Sequence, residues 1–96
     1  MDGRIENCVL LNCFKSDKYN STYFNILCKV SDNQFRKGPE IKRFSLSDVK
    51  IFDRFNSENA MKQVIVTYTC VPGTGNQMLM QLTGLIDHET GANLLA

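Results

Sequence analysis

The sequence predicts an all-β protein, a five-stranded antiparallel barrel with one short helix. Apolar and polar residues alternate with a period of two over most of the 96 residues, and long amphipathic helical patterns are nearly absent. The length and the hydrophobic content of 43% suit one globular domain. We therefore expect a single domain over residues 1–96, in which residues 88–96 form a weakly patterned C-terminal tail.

The first predicted strand covers residues 4–15 and has apolar side chains on both parities. Ile5, Val9, Leu11 and Cys13 fall on one parity, and Cys8, Leu10 and Phe14 fall on the other. This pattern indicates a strand that is buried on both sides for part of its length, or one that bends. Residues 16–21 are rich in Asp, Asn and Ser and therefore predict a turn.

The second and third strands have clearer patterns. Residues 22–31 place a core stripe on the even positions and a mixed outer face on the odd ones; the stripe is Phe24, Ile26, Cys28 and Val30. After a polar loop over residues 32–40, the strand at 41–46 directs Phe44 and Leu46 inward, with Lys42 as a snorkelling end. Ile41, Arg43 and Ser45 are then expected on the outer face.

A short helix is predicted over residues 48–55, capped by Ser45 or Ser47. Val49, Phe52 and Phe55 would share its buried side. Two further strands follow at residues 62–71 and 77–87, joined by a glycine-rich hairpin turn at 72–76. Gly84 predicts a bend or bulge in the last strand.

This order of three strands, a short helix and two strands is that of the five-stranded OB fold, a barrel that binds oligonucleotides and oligosaccharides. A small SH3-like barrel and an open antiparallel sheet have the same number of strands and remain alternatives. The sequence alone does not separate the three.

Catalytic and metal-binding patterns are missing from the sequence. Its four cysteines, Cys8, Cys13, Cys28 and Cys70, have no Cys-x-x-Cys spacing, and the single histidine is His88. We expect a non-enzymatic protein without a cofactor or metal, in which the cysteines are reduced and serve as small apolar residues. The N-terminus does not resemble a signal peptide, so we expect a cytoplasmic location.

Charge is unevenly distributed along the chain, although the net charge is only +1. Residues 14–43 hold seven basic and three acidic side chains, whereas residues 55–96 hold one lysine and three acids. Aromatic residues lie among these cations. Cationic groups for phosphates and flat faces for bases are what a single-stranded nucleic acid requires.

The predicted nucleic-acid-binding residues combine the basic and the aromatic members of this stretch. Tyr23 is the first candidate for base stacking, because its parity is opposite to that of the core stripe, and Phe35 and Tyr19 follow. Tyr23 could instead cap the barrel end, and Phe35 could anchor its loop. Tyr68 is expected in the core. The full set is Lys15, Lys18, Tyr19, Tyr23, Lys29, Phe35, Arg36, Lys37, Lys42 and Arg43.

Three passages carry a resemblance to a known family. They are the aromatic strand at residues 21–30, the basic strand at 42–48, and residues 64–70 leading through the glycine hairpin into 78–86. Over residues 4–87 the chain resembles the small OB-fold single-stranded DNA-binding proteins of phages and mobile elements, of the filamentous-phage kind. It departs from the larger bacterial single-strand binders in lacking their acidic C-terminal tail.

The resemblance implies a homodimer that coats single-stranded DNA cooperatively and without sequence preference during replication or transfer. The rival hypothesis is a protein-interaction or assembly module, such as an adaptor, inhibitor or virion component. That rival predicts an exposed apolar patch involving Leu27, Ile41 and Leu79. Single-stranded RNA is the alternative nucleic-acid ligand.

Overall fold

A computed structural model describes residues 2–29, 39–55, 61–73 and 75–96. Its elements follow the predicted order of three strands, a short helix and two strands. They are β1 (Asp2–Ser16), β2 (Ser21–Lys29), β3 (Pro39–Leu46), a 3₁₀ helix (Val49–Arg54), β4 (Gln63–Pro72) and β5 (Met78–Asp87). The all-β prediction and the single short helix are therefore confirmed.

The five strands close into a barrel in the order β1-β2-β3-β5-β4, with β4 pairing back onto β1. Four of the pairings are antiparallel. The fifth is a short parallel contact between β3 and β5, where Ser45 lies opposite Gln81. The predicted five-stranded, OB-like barrel is confirmed, but it is not antiparallel throughout. The helix leads from β3 into β4, and β5 then returns beside β3 in the same direction.

Strand β1 pairs with both neighbours and is irregular at two points. Its register with β4 shifts between Ile5 and Cys8, where Asn7 adopts a positive φ of 59°. Its register with β2 shifts between Leu10 and Asn12. Of the two alternatives that the sequence left open, these irregularities favour a strand that bends. Each extra residue turns the following side chains to the other face.

The second shift separates Phe14 from the residues that share its parity. Cys8 and Leu10 are buried, whereas Phe14 is 37% exposed. The irregularity between Leu10 and Asn12 reverses the alternation before residue 14, so Phe14 lies on the outer face.

The core is built from both β-hairpins and the helix. The predicted stripe is confirmed for Phe24, Ile26 and Cys28, whereas Val30 lies outside the described residues. The Phe24 ring meets Phe55 edge-on, with ring centroids 5.0 Å apart. Tyr68 packs against this core, as expected. The buried apolar residues are Cys8, Leu10, Phe24, Ile26, Cys28, Phe44, Ile51, Phe55, Val64, Val66, Leu82 and Leu85.

The 3₁₀ helix is capped by Asp48, not by Ser45 or Ser47. The Asp48 carboxylate accepts a hydrogen bond of 2.9 Å from the Lys50 backbone N–H. Val49, Phe52 and Phe55 were predicted to share the buried side of this segment. Phe55 is buried as predicted, but the other buried residue is Ile51. Side chains three residues apart eclipse in a 3₁₀ helix, so Val49 and Phe52 do share one side, but it is Ile51 that packs into the core.

Strand β5 contains the predicted irregularity near Gly84. The register with β4 shifts between Thr67, which lies opposite Gly84, and Tyr68, which lies opposite Leu82. A Cβ atom on Gly84 would lie 2.5 Å from the Thr67 hydroxyl oxygen. The close approach of the two strands at this bulge therefore requires glycine.

The C-terminal segment packs along β5 and is not a loose tail. The Leu94 N–H donates to the Leu85 carbonyl at 2.7 Å, and Leu94 and Leu95 pack against the core. The Asp87 carboxylate accepts hydrogen bonds from the Glu89 N–H and from Lys62 Nζ, at 2.9 and 3.1 Å. These bonds hold the pKa of Asp87 below its ordinary value.

Candidate nucleic-acid interface

A groove of about 820 Å³ runs across the outer side of the barrel, between the β1–β2–β3 face and the β4–β5 hairpin. Its floor includes Phe14 from β1, Tyr23 from β2 and Arg43 from β3. The facing wall includes Met78 and Leu79, at the start of β5. The groove therefore lies where OB folds bind oligonucleotides, on the strand 2–3 face and beside the loops that join strands 1–2 and 4–5.

The floor of the groove is an aromatic stack. Phe14 and Tyr23 are directly opposed in the β1–β2 register. Their rings are 5.2 Å apart between centroids and inclined by 19°. Directly opposed residues of an antiparallel pair project to the same face, so the hairpin register itself creates this stack.

A cation lies on the same stack. The Arg43 Cζ atom is 5.2 Å from the Phe14 ring centroid. Its Nε donates a long hydrogen bond of 3.4 Å to Asn25 Oδ1, and Asn25 Nδ2 donates to Asn12 Oδ1 at 2.9 Å. The Arg43 guanidinium is therefore oriented by a bond from Nε. Its terminal Nη groups are the atoms that would pair with phosphate oxygens.

Exposed apolar and aromatic side chains extend the groove beyond its floor. Met78 is 60% exposed and Tyr19 is 58% exposed, and both line the groove. Lys18 Nζ lies 5.2 Å from the Tyr19 ring centroid, which places a second cation at this end. Aromatic faces with adjacent cations are a suitable surface for unpaired bases and the phosphates between them.

The groove lining is polar and carries little charge. Among its described residues, Arg43 is the only one with a charged side chain. The polar members are hydroxyls and amides, and one pair of them is joined by a hydrogen bond of 3.2 Å from Gln81 Nε2 to Ser47 Oγ. These polar residues are Ser16, Ser21, Ser45, Ser47, Gln77 and Gln81.

The structure brings together only part of the predicted site. Tyr19, Tyr23 and Arg43 line the groove, and Lys18 adjoins it. Three of the predicted residues, Phe35, Arg36 and Lys37, lie outside the described residues.

The remaining three predicted residues lie away from the groove lining. Lys15 Nζ is 5.6 Å from the Phe52 ring, next to the 3₁₀ helix. Lys42 forms an ion pair of 2.7 Å with Glu40. Lys29 is exposed at the end of β2, on the same parity as Tyr23 but six residues further along the strand.

Sequence reasoning missed Phe14 and the apolar wall at Met78. The signal for Phe14 was present in the turn at residues 17–20. Counting outward from that turn pairs Ser16 with Ser21 and Phe14 with Tyr23, which is the observed register. No local sequence pattern predicts the wall at Met78, because β5 comes close to β3 only when the barrel closes.

No family model, curated protein or solved structure matches this chain. Within the described ranges, no group of three or more His, Cys, Asp or Glu side chains is placed to hold a metal ion. The same residues include no helix with the length and apolar character needed to cross a membrane. The groove, with its aromatic floor and adjacent cations, is the surface on which a function can be proposed.

Proposed function

We propose that this protein is a non-enzymatic single-stranded DNA-binding protein that coats DNA without sequence preference during replication or transfer of a phage or mobile element. The observation that carries the proposal is the exposed stack of Phe14 and Tyr23 with Arg43 beside it. Bases stack on the aromatic rings, and Arg43 and Lys18 pair with the phosphates.

The composition of the groove supports binding without sequence preference. Every base has a π-face, so stacking tolerates any sequence and contributes about 1–3 kcal/mol per base. The serine hydroxyls and glutamine amides both donate and accept hydrogen bonds, so they suit base edges of differing pattern. Under this proposal the barrel acts in the cytoplasm, as the N-terminal sequence led us to expect, and as a homodimer, as the resemblance implies.

Because the groove carries little charge, we expect the affinity for a single strand to depend only modestly on salt concentration. Each phosphate neutralised on a single strand lowers the slope of log K against log salt by about 0.7. With Arg43 in the groove and Lys18 beside it, these two cations contribute a slope of about −1.4. Stacking therefore supplies a larger share of the affinity than it would in a strongly basic groove.

A second candidate function is a protein-interaction or assembly module. It is favoured by an apolar pair on the outer face, because Leu27 and Ile41 are directly opposed across β2 and β3 and Ile41 is 63% exposed. This pair lies on the Lys29 side of the sheet, four residues along β2 from Tyr23. Binding of a protein partner there does not need the aromatic stack.

Fluorescence anisotropy with labelled oligo(dT) at two salt concentrations tests the proposal. We expect binding at low salt, weakening modestly as salt rises, and a lower affinity for a duplex of the same length because its bases are already stacked. No binding at low salt would reject the proposal and favour the interaction module. Sedimentation in the same buffers checks the homodimer.

A further inference from the structure

Two of the four cysteines lie side by side in the barrel core. Cys8 of β1 and Cys28 of β2 are directly opposed in the strand register. Their Sγ atoms are 3.6 Å apart, and both residues are buried free thiols. The other two, Cys13 and Cys70, are half-buried.

The backbone geometry at this pair is compatible with a disulfide. Directly opposed residues in antiparallel strands have Cα atoms about 4.5–5.5 Å apart, within the range of about 4.4–6.8 Å that disulfides span. Closing the sulfur separation from 3.6 Å to the bond length of about 2.05 Å requires side-chain rotation without separating the strands.

The two thiols are chemically unequal. Cys8 Sγ donates a hydrogen bond to Cys28 Sγ. This bond, together with the nearby Lys42 ammonium, lowers the pKa of Cys28 against the opposing effects of burial and of Glu40. The pKa of Cys8 is raised by donating that bond and by burial, and burial raises the pKa of Cys13 to about 11. Cys28 is therefore the better nucleophile of the pair.

We propose that Cys8 and Cys28 form a redox-active pair that hydrogen peroxide converts into a reversible disulfide linking β1 to β2. The Cys28 thiolate attacks the peroxide oxygen, the O–O bond breaks, and hydroxide leaves with formation of a sulfenic acid. The Cys8 sulfur then attacks the Cys28 sulfur, loses its proton and displaces the oxygen as water. Overall, two thiols and one peroxide give one disulfide and two waters.

Peroxide reaches this buried pair through the irregular part of β1. The β1–β4 register shifts immediately before Cys8, at Asn7, whose positive φ marks the break in the ladder. Asn7 and Glu6 are both exposed. Local opening at such an interruption needs fewer hydrogen bonds to break than opening within a regular ladder. The proposal does not depend on any nucleic-acid ligand.

Peptide mapping tests the pairing directly. In a Cys13→Ser, Cys70→Ser background, peroxide treatment of the folded protein should join tryptic peptides 5–15 and 19–29, which carry Cys8 and Cys28. The intact mass should fall by two hydrogen atoms and recover with dithiothreitol. In the wild-type protein peptide 5–15 carries both Cys8 and Cys13, so fragmentation of the linked peptides should place the bond at Cys8. A mixture dominated by links to Cys13 or Cys70 would contradict the pairing.

Single variants in that background test the division of roles. With Cys8→Ser, which keeps a hydroxyl to donate to Cys28, peroxide should leave a sulfenic acid at Cys28 that dimedone traps. With Cys28→Ser, which keeps an acceptor for Cys8, Cys8 should show no dimedone adduct under the same conditions. Equal trapping at both sites would overturn the assignment of roles. Absence of the 5–15 to 19–29 link, or its formation only after unfolding in urea, would overturn the redox pair itself.

Discussion

In the part of the chain that the structure describes, an inner and an outer aromatic cluster are separated by the thickness of one strand. The inner cluster includes Phe24, whose ring meets Phe55 edge-on within the barrel core. The outer cluster is Phe14 stacked on Tyr23 along the floor of the groove. Tyr23 and Phe24 are neighbours in sequence and point to opposite faces of β2, because side chains alternate along a strand.

The difference between the clusters lies in what surrounds them. The inner rings are enclosed by aliphatic side chains of the core, so their aromatic faces are already in contact with protein. The outer stack is open to solvent at Phe14 and has a guanidinium beside it. Rings that keep an open face next to cations retain stacking capacity for a ligand, whereas rings enclosed in a core stabilise only the fold.

The largest expected difference between the two clusters is in how much each contributes to the stability of the fold. Phe24→Ala removes a fully buried ring and leaves a cavity, so we expect the free energy of unfolding to fall by about 3–5 kcal/mol. Phe14→Leu, in the open cluster, should lower it by at most about 1.5 kcal/mol, since it loses mainly the ring pair. Urea denaturation followed by circular dichroism measures both. Equal losses would show that Phe14 belongs to the core after all.

The next largest expected effect is a loss of oligonucleotide affinity when the outer cluster is changed. Phe14→Leu and Tyr23→Leu keep an apolar side chain but remove the flat face, so each should weaken oligo(dT) binding by about 1–3 kcal/mol. Anisotropy titrations measure this with variants whose circular dichroism spectra match that of the wild type.

Ile41→Ser is the matched control for these substitutions, because Ile41 is exposed on the outer face of β3 but does not line the groove. It should leave oligo(dT) affinity unchanged. If Ile41→Ser weakens binding as much as Tyr23→Leu does, the ligand lies on the Leu27–Ile41 side and the outer cluster is not the binding surface.

The smallest expected effect concerns the cation on the outer stack. Arg43→Gln should make the slope of log K against log salt shallower by about 0.7, the value for one phosphate contact on a single strand. Arg4→Gln is its control, because Arg4 is exposed on β1, pairs with Glu6 at 3.2 Å and does not line the groove. An unchanged slope in Arg43→Gln would remove Arg43 from the phosphate contacts.

Much of the fold follows from local alternation. The stripe of Phe24, Ile26 and Cys28 is regular because β2 has no bulge, so parity alone assigns its two faces. Parity alone does not place Phe14, because the register shift between Leu10 and Asn12 reverses the alternation before it. The apolar residues on both parities of β1 indicate an irregularity, but its position depends on pairing with the neighbouring strands.

The candidate site was predictable to the extent that it depends on β2 and β3. The outward parity of Tyr23 and Arg43 identified two floor residues, and Tyr19 followed from its turn. Lys42 and Lys15 were predicted site residues because they are basic. Lys42 instead forms an ion pair with Glu40, and Lys15 contacts Phe52, away from the groove. Residue type indicates which side chains can bind phosphate, whereas only strand register shows which of them share a groove.

Zero-length photocrosslinking to oligo(dT), with the crosslinked peptides mapped by mass spectrometry, tests the central claim most directly. Irradiation joins a thymine to an aromatic ring only when the two are in contact. We expect crosslinks at Phe14 and Tyr23, with Tyr19 weaker because it lies in the turn at the edge of the groove. Crosslinks confined to residues outside the groove, or none at saturating oligonucleotide, would contradict the assignment of this aromatic stack as the nucleic-acid-binding surface.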